Sequence, residues 1–235
     1  MSKNFLRFEM HTHTSESSPC GEITAKTLVE TYHKLGYDGL IITDHFRPKF
    51  FDQYGHLPWV EQMAIYREGG RQAAYWGEKL GLKIFWGLEI RFSDVAAGDS
   101  RVNDYLVYGI TEEELLAMPK LAHQTLRGFS ALARKMGWLF LQAHPCRSPY
   151  SNEDEGCHIV DPTLLDGIEV LNAHPVHLSN NEKAAQEKAR NPQWLTVMGS
   201  DAHFVAGCGL AHMDYQAPVN SITDIVKQIR AQRQE

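Results

Sequence analysis

The chain has 235 residues, 43% hydrophobic and 22% charged, proportions of a globular domain long enough to bury a real core. Twenty-three Lys and Arg against 29 Asp and Glu leave a formal charge of −6, and no basic block stands out, which disfavours nonspecific nucleic-acid binding. The amino-terminal MSKNFLRFEM has no apolar core of signal-peptide length, and no apolar run approaches the roughly 18 residues of a membrane span, so a cytoplasmic protein with no membrane partner is expected.

Phe5–Met10 reads as the first strand, and Ile23–Leu35 as a helix opened by Thr24 and closed near Gly36. Gly39–Thr43 is a second buried strand. A long helix is expected over Trp59–Leu80, with Trp59, Tyr66, Tyr75 and Trp76 as packing residues. Strands over Lys83–Leu88 and Tyr105–Ile110, a helix over Leu121–Met136 and a strand over Trp138–Gln142 follow. The polar segment Ser148–Gly156 is read as a surface loop, because strand and helix alternate again beyond it. Gly167–Leu171 is a strand, Asn180–Arg190 a helix, Leu195–Met198 a strand and Ile222–Arg233 a closing helix. About seven short strands rich in Val, Ile, Leu and Phe suit parallel strands buried on both faces. No repeat or linker interrupts them, so one domain over residues 1–235 is expected. Cys20, Cys146, Cys157 and Cys208 form no C-x-x-C pair and read as reduced thiols, each able to bind metal.

Such an alternation builds either a closed barrel or an open doubly wound sheet. The first strand is followed by His-Thr-His, not by the glycine-rich phosphate fingerprint of the open dinucleotide-binding folds. After successive strands stand His11 and His13, then Asp44 and His45, then Glu89, then His144, and finally Asp201 and His203. Residues so distant in sequence meet if the strand carboxyl ends share one mouth, as in a barrel. The side chains of His11 and His13 share a face of an extended segment. Two imidazoles can thus grip one ion, with Asp201 as an anionic ligand opposite, a donor set that suits Zn²⁺, Mn²⁺ or Fe²⁺.

HTHT at 11–14, ITDH at 42–45, GLEI at 87–90, QAHP at 142–145, GIEVLN at 167–172 and GSDAH at 199–203 together resemble the PHP domain, named for polymerase and histidinol phosphatase. They stand in the family's order and cover nearly the whole chain. The resemblance implies an α/β fold, a distorted (β/α)7 barrel, with two or three divalent ions (Zn, Mn or Fe) at the carboxyl ends of the strands. It further implies phosphoester hydrolysis by a metal-bridged hydroxide in a trinuclear site. Carried over by position, His11, His13 and Asp201 would hold one metal, Glu89 would bridge it to a second that also takes His144, and His45 with His203 would hold a third. Where the family has an Asp or His a few residues after H-x-H, this chain reads SESSPCG; Cys20 takes that place, with Glu16 as competitor. Where the family has a His at the start of the strand reading NDYLVYGI, this chain has Asp104, expected as the ligand there.

Three residues beyond His144, Arg147 would project from the same mouth and bind a nonbridging phosphate oxygen, the alternative being a surface ion pair. His203, His174 and His177 are the candidates to protonate a leaving alkoxide or to contact substrate. Asp44 would orient a ligand imidazole or brace a turn, and Glu169 and Asn172 would hold loops or act in catalysis. Substrate contacts are expected on segments 47–58 and 147–161. The expected substrate is a small-molecule phosphate ester, a monoester ahead of a diester, because no basic groove is visible; the sequence specifies no oligomeric state. Two other readings compete. One is an amidohydrolase-like enzyme acting on C–N bonds, whose bridging ligand is commonly a carbamylated lysine where this chain has Glu89. The other is a noncatalytic metal-stabilised module, which loss of several ligands would mark.

Overall fold

The computed structural model describes residues 3–92, 103–147, 157–175 and 180–234. Its strands are β1 (Phe5–Thr12), β2 (Gly39–Ile42), β3 (His45–Phe46), β4 (Lys83–Ile90), β5 (Tyr105–Tyr108), β6 (Leu139–Gln142), β7 (Gly167–Asn172), β8 (Leu195–Gly199) and β9 (Met213–Gln216). Neighbours follow the order β8-β7-β6-β5-β4-β2-β1-β9, with the short β3 beside β4. The path curls until β1 and β8 meet at one end. There the His13 N–H donates to the Ala202 carbonyl at 3.1 Å, and the Ala202 N–H to the His11 carbonyl at 3.3 Å. At the other end β9 pairs antiparallel with Phe5 to Phe8 of β1. The result is the distorted, nearly closed barrel expected of the sequence.

The expected uniform rhythm of parallel strand and helix needs correction. β5 runs antiparallel to both β4 and β6. Antiparallel neighbours need no crossover helix, and the residue preceding β5, Asp104, is therefore the one that reaches the mouth.

The helices are α1 (Ala25–Lys34), α2 (Pro48–Gln53), α3 (Trp59–Tyr66), α4 (Glu68–Leu80), α5 (Glu112–Ala117), α6 (Leu126–Met136), α7 (Asn181–Arg190) and α8 (Ile222–Ala231). Thr24 caps α1, its hydroxyl accepting from the Thr27 N–H at 3.3 Å. The single helix expected over residues 59–80 is two helices meeting at Arg67. Gly69 and Gly70 explain the break. The Gly69 N–H donates to Ser17 Oγ at 2.9 Å, and a Cβ on Gly69 would lie 1.8 Å from Thr14 Oγ1. The pair trades helix propensity for close approach, Gly69 to the loop that follows β1 and Gly70 to the Trp86 indole of β4. No helix among the described residues is long and apolar enough to cross a membrane.

Phe8 and Met10 of β1 join Ile41, Leu106, Tyr108, Leu139, Leu141 and Val197 in the core beneath the mouth. Strict alternation would turn His11 away from this side, because side chains on a strand repeat every two residues. The register of β1 on β2 shifts between Glu9 and Thr12, leaving one extra residue on β1, so that Met10 fills the core while His11 beside it enters the mouth. The buried Glu9 carboxylate holds this irregularity. Its Oε1 accepts from the N–H groups of Met10 and His11 at 3.0 Å and of Ser200 at 2.8 Å, and its Oε2 from the Tyr32 hydroxyl at 2.8 Å.

Leaving a buried donor without an acceptor costs about 1–3 kcal/mol. Glu9→Leu orphans three backbone N–H groups and the Tyr32 hydroxyl and is expected to lose at least about 4 kcal/mol in urea unfolding, against about 1 kcal/mol for Tyr32→Phe. Equal losses in the two variants would show that Glu9 does not act through those backbone donors.

Candidate metal centre

The mouth collects His11 and His13 from the end of β1, His45 from β3, Glu89 from β4, Asp104 ahead of β5, His144 after β6, and Asp201 after β8, all buried. His203 is half-buried beside them. His11 Nε2 lies 3.4 Å from Glu89 Oε1 and 3.5 Å from Asp201 Oδ1. His13 Nε2 lies 3.1 Å from Asp201 Oδ1 and 3.6 Å from Glu89 Oε2. His144 Nε2 is 3.0 Å from Glu89 Oε1, and His45 Nδ1 contacts Glu89 Oε2. Three donor sets each bring their ligand atoms within 4.8 Å of one another: His11, His13 and Glu89; Glu89, Asp104 and His144; His13, His45 and His203. Glu89 and His13 each belong to two of them.

Hydrogen bonds behind these residues fix which ring nitrogen faces inward. His11 Nδ1 donates to Glu169 Oε1 at 2.9 Å, so in the neutral ring Nε2 carries the lone pair. That Nε2 is buried and has no hydrogen-bond partner. The Ser18 hydroxyl donates to Asp44 Oδ1 at 2.8 Å and can therefore accept from His13 Nδ1, 3.4 Å away. His203 Nδ1 donates to the Asp201 carbonyl at 2.9 Å. Imidazole lone pairs of His11 and His13 thus point at carboxylate oxygens. Two electron-rich groups at such separations repel unless a positive charge lies between them, and this donor set of imidazole and carboxylate fits a divalent cation.

The titration preferences mark the same demand for positive charge in the mouth. Burial opposes charge throughout, yet the charges of Glu169 and Asp201 hold the His11 pKa well above its usual value. Burial and the neighbouring His45 and His203 push His13 well below. Against its own burial, Glu89 is held well below the ordinary carboxylate range by the charge of His45 and by the facing His11 and His144 rings. Asp201 is held low in the same way by His11 and His13. Backbone strain marks the same place: His144 (φ 27°) and Asp201 (φ 51°) occupy the left-handed region without being glycine. Gly199 lets β8 close on the site, since a Cβ there would lie 2.4 Å from His11 Cβ.

Cys20 Sγ lies 2.9 Å from His45 Nε2, and burial pushes its thiol up to about 11. Glu16 is engaged elsewhere, both carboxylate oxygens accepting from the Ala25 N–H that opens α1 at 3.0 Å. Asp104 stands at the mouth but is bonded to Arg91 through both oxygens, each contact 2.7 Å. Arg147 Nη1 lies 3.6 Å from Asp201 Oδ2. His174 is buried, its ring edge-on to those of His203 at 5.1 Å and Phe204 at 5.7 Å. Asp44 bonds the Thr14 N–H, the Thr14 hydroxyl and Ser18, so it braces the loop after β1 and reaches His13 only through Ser18. Glu169 also accepts from the His144 N–H at 2.9 Å and from Asn172 Nδ2 at 3.0 Å.

His177 and the Ser148–Gly156 loop lie outside the described residues, as does much of the 147–161 segment. One thiol expectation is corrected: Cys146 and Cys157 form a disulfide, while Cys20 and Cys208 are free. Eleven residues separate the pair in sequence, but the His158 N–H donates to the Pro145 carbonyl at 2.8 Å and brings the chain back. Arg91, Ser18 and Glu9 were not singled out from the sequence. For Arg91 and Glu9 the available signal was a charge directly abutting or inside a buried apolar strand; Ser18, an uncharged loop residue, carried none.

A family profile for the PHP domain matches residues 9–231. No curated protein matches the sequence. Solved structures share the fold. A protein from Bifidobacterium adolescentis assigned as a metal-dependent phosphoesterase has a TM-score of 0.57 at 17% identity, covering 96% of each chain. An amidohydrolase from Chromobacterium violaceum with bound sulfate and no metal has a TM-score of 0.55 at 14% identity, covering 94% of this chain and 96% of that one. A lesion-specific endonuclease from Pyrococcus furiosus has a TM-score of 0.59 at 13% identity, covering 97% of this chain and 56% of that one.

Burial pushes the Asp44 carboxyl from 3.8 up to about 7, against the bonds from Thr14 and Ser18. Between those values the folded state keeps a proton that the unfolded chain has lost. Its stabilising contribution therefore falls as pH rises through this window and is flat above it. In chelator-treated protein, wild type is expected to lose on the order of 2 kcal/mol more than Asp44→Asn between pH 5 and pH 8 in urea unfolding. Parallel pH profiles would show that Asp44 ionises at its usual value.

Proposed function

The chain belongs to the PHP domain family, and on that premise we propose that it is a metal-dependent phosphoesterase acting on a small-molecule phosphate monoester. The observation that carries this reading is the pair of inward Nε2 atoms, of His11 and His13, aimed at the oxygens of Glu89 and Asp201. His11, His13, Asp201 and Glu89 would hold one divalent ion. His45, His203 and Cys20 would hold another, with His13 alongside. Such ions supply Lewis-acid charge for phosphoryl oxygens and acidify water towards neutrality, which makes a Ser or Cys nucleophile unnecessary.

The protein groups divide the remaining work. Arg147, part-exposed beside Asp201, binds a nonbridging phosphoryl oxygen through its planar fork. Its partner Asp201 is buried at the base of the site, so substrate approaches from the guanidinium side. His203 keeps its Nδ1 proton on the Asp201 carbonyl. Neighbouring His174, buried against it, is placed to pass a proton to the leaving alkoxide. Glu169 holds the His11 ring in one tautomer and braces the backbone at His144.

The Chromobacterium amidohydrolase, alike in fold, favours C–N hydrolysis as the second reading. Against it, no lysine is among the buried polar residues described, and the carboxylate shared between two donor sets is Glu89. The chain's acidic balance favours a small substrate over a nucleic acid.

Elemental analysis paired with phosphate release from a panel of monoesters and diesters tests the proposal. Transition metal in wild type, with metal-dependent release abolished in His11→Ala, is the expected result. A chain that carries no metal and hydrolyses nothing after reconstitution with Mn²⁺ or Zn²⁺ leaves the binding-module reading. Arg147→Ala is expected to raise KM by about tenfold or more, the worth of one charged hydrogen bond. An unchanged KM would place Arg147 outside the substrate site.

A further inference from the structure

We infer that the Arg91 guanidinium occupies the role of one cation in this centre, so that the mouth takes two divalent ions and one fixed arginine charge. The inference rests on the metal-dependent reading above and concerns the donor set Glu89, Asp104 and His144. In the set of His11, His13 and Glu89 the described contacts bring no arginine to the carboxylate, and in the set of His13, His45 and His203 Arg47 Nη2 meets an imidazole, 2.9 Å from His45 Nδ1 and 3.1 Å from its Nε2. The set with Asp104 is different.

Arg91 follows β4 directly and Asp104 precedes β5 directly. Because Ile90 pairs with Tyr105 across the antiparallel ladder, the two charged residues stand opposite each other at the mouth. The Arg91 fork engages Asp104 in parallel, Nε to Oδ1 and Nη2 to Oδ2, both at 2.7 Å. This bidentate geometry uses both carboxylate oxygens along their best lone-pair directions. A second guanidinium, that of Arg47, brings its Nη2 to 3.7 Å from Asp104 Oδ2. The nearest other donor is farther away, with His144 Nε2 4.0 Å from Oδ2.

A divalent ion bound here would share its carboxylate ligand with two guanidiniums. It would face like charge at close range, inside a site where Asp104 is buried and water screens poorly. Asp201 makes a useful contrast. Its Oδ2 meets Arg147 at 3.6 Å through one contact, while its Oδ1 remains directed at His11 and His13. The oxygen that faces the imidazoles is thus free of arginine in Asp201, and neither oxygen is free in Asp104.

Two consequences follow for the chemistry. His144 has no ion to ligate and instead donates from Nε2 to Glu89 Oε1 at 3.0 Å, orienting the carboxylate that serves the remaining ions. The charge on Arg91 survives chelation. It cannot acidify water as an ion does, but it neutralises Asp104 and keeps this side of the mouth attractive to a phosphoryl oxygen.

Protein reconstituted with excess Mn²⁺ or Zn²⁺, desalted and counted by elemental analysis decides the matter. Two ions per wild-type chain and three in Arg91→Ala, whose Asp104 is released, are the expected counts. Three ions in wild type, or two in an Arg91→Ala variant with native circular dichroism, would overturn the inference while leaving the metal-dependent reading in place. One ion in wild type would overturn the inference alone, and none, with no hydrolysis, would overturn both. Should Arg91→Ala fail to fold, anomalous scattering from wild-type crystals supplies the same decision: density between Glu89 and His144 refutes the inference, and its absence alongside two other peaks supports it.

Discussion

A single buried carboxylate, Glu9, sets the phase of the strand from which the site grows. Without the extra residue it stabilises, either Met10 or His11 would face the core side of β1, but not both. Burying that carboxylate carries a desolvation cost, which four hydrogen bonds offset. One of those bonds reaches Ser200, immediately before Asp201. The same group therefore positions a candidate ligand from the start of the chain and another from its end. A second register shift, in β7 between Glu169 and Leu171, accompanies Glu169, the carboxylate that fixes the His11 ring. Regular strands would build the barrel; the irregular ones build its mouth.

The outer hydrogen bonds do more than hold loops. An imidazole has two nitrogens, and only a partner on the far one decides which lone pair faces inward. Glu169 does this for His11, Ser18 backed by Asp44 for His13, and a backbone carbonyl for His203. These partners lie on β7, on the loop after β1 and on the turn after β8, so the site's electrostatics are written into separate parts of the fold. Strain at His144 and Asp201 belongs to the same account. Both residues turn the chain sharply at the point where their side chains must enter a crowded mouth, and neighbouring bonds hold them there.

Much of this was legible in the sequence because it follows from local pattern. Apolar runs of four to eight residues bounded by turn residues located the main barrel strands, and the histidines and carboxylates after them marked the mouth. What escaped depends on contacts between distant segments. Two glycines stand at the break in the helix over 59–80, where Thr14 and Ser17 press against Gly69 and the Trp86 indole against Gly70. The disulfide joins cysteines with no motif spacing. Cys20 takes the family's place with Glu16 as competitor; Glu16 bonds the first N–H of α1, while Cys20 sits against His45. Asp44 looked like a partner for the adjacent His45, yet its bonds run to Thr14 and Ser18.

The antiparallel β5 links these observations. In a parallel barrel, mouth residues come from successive carboxyl ends, as His45 and Glu89 do across the parallel ladder of β3 and β4. Reversing one strand places the end of β4 beside the beginning of β5, in register, so that Arg91 and Asp104 become cross-strand partners. The ion pair is thus a product of topology as much as of residue type. A histidine at position 104 would have met Arg91 with no carboxylate to offer it, and the two could not have formed a bidentate pair. With aspartate there, the carboxylate's charge is met by an arginine of the chain itself.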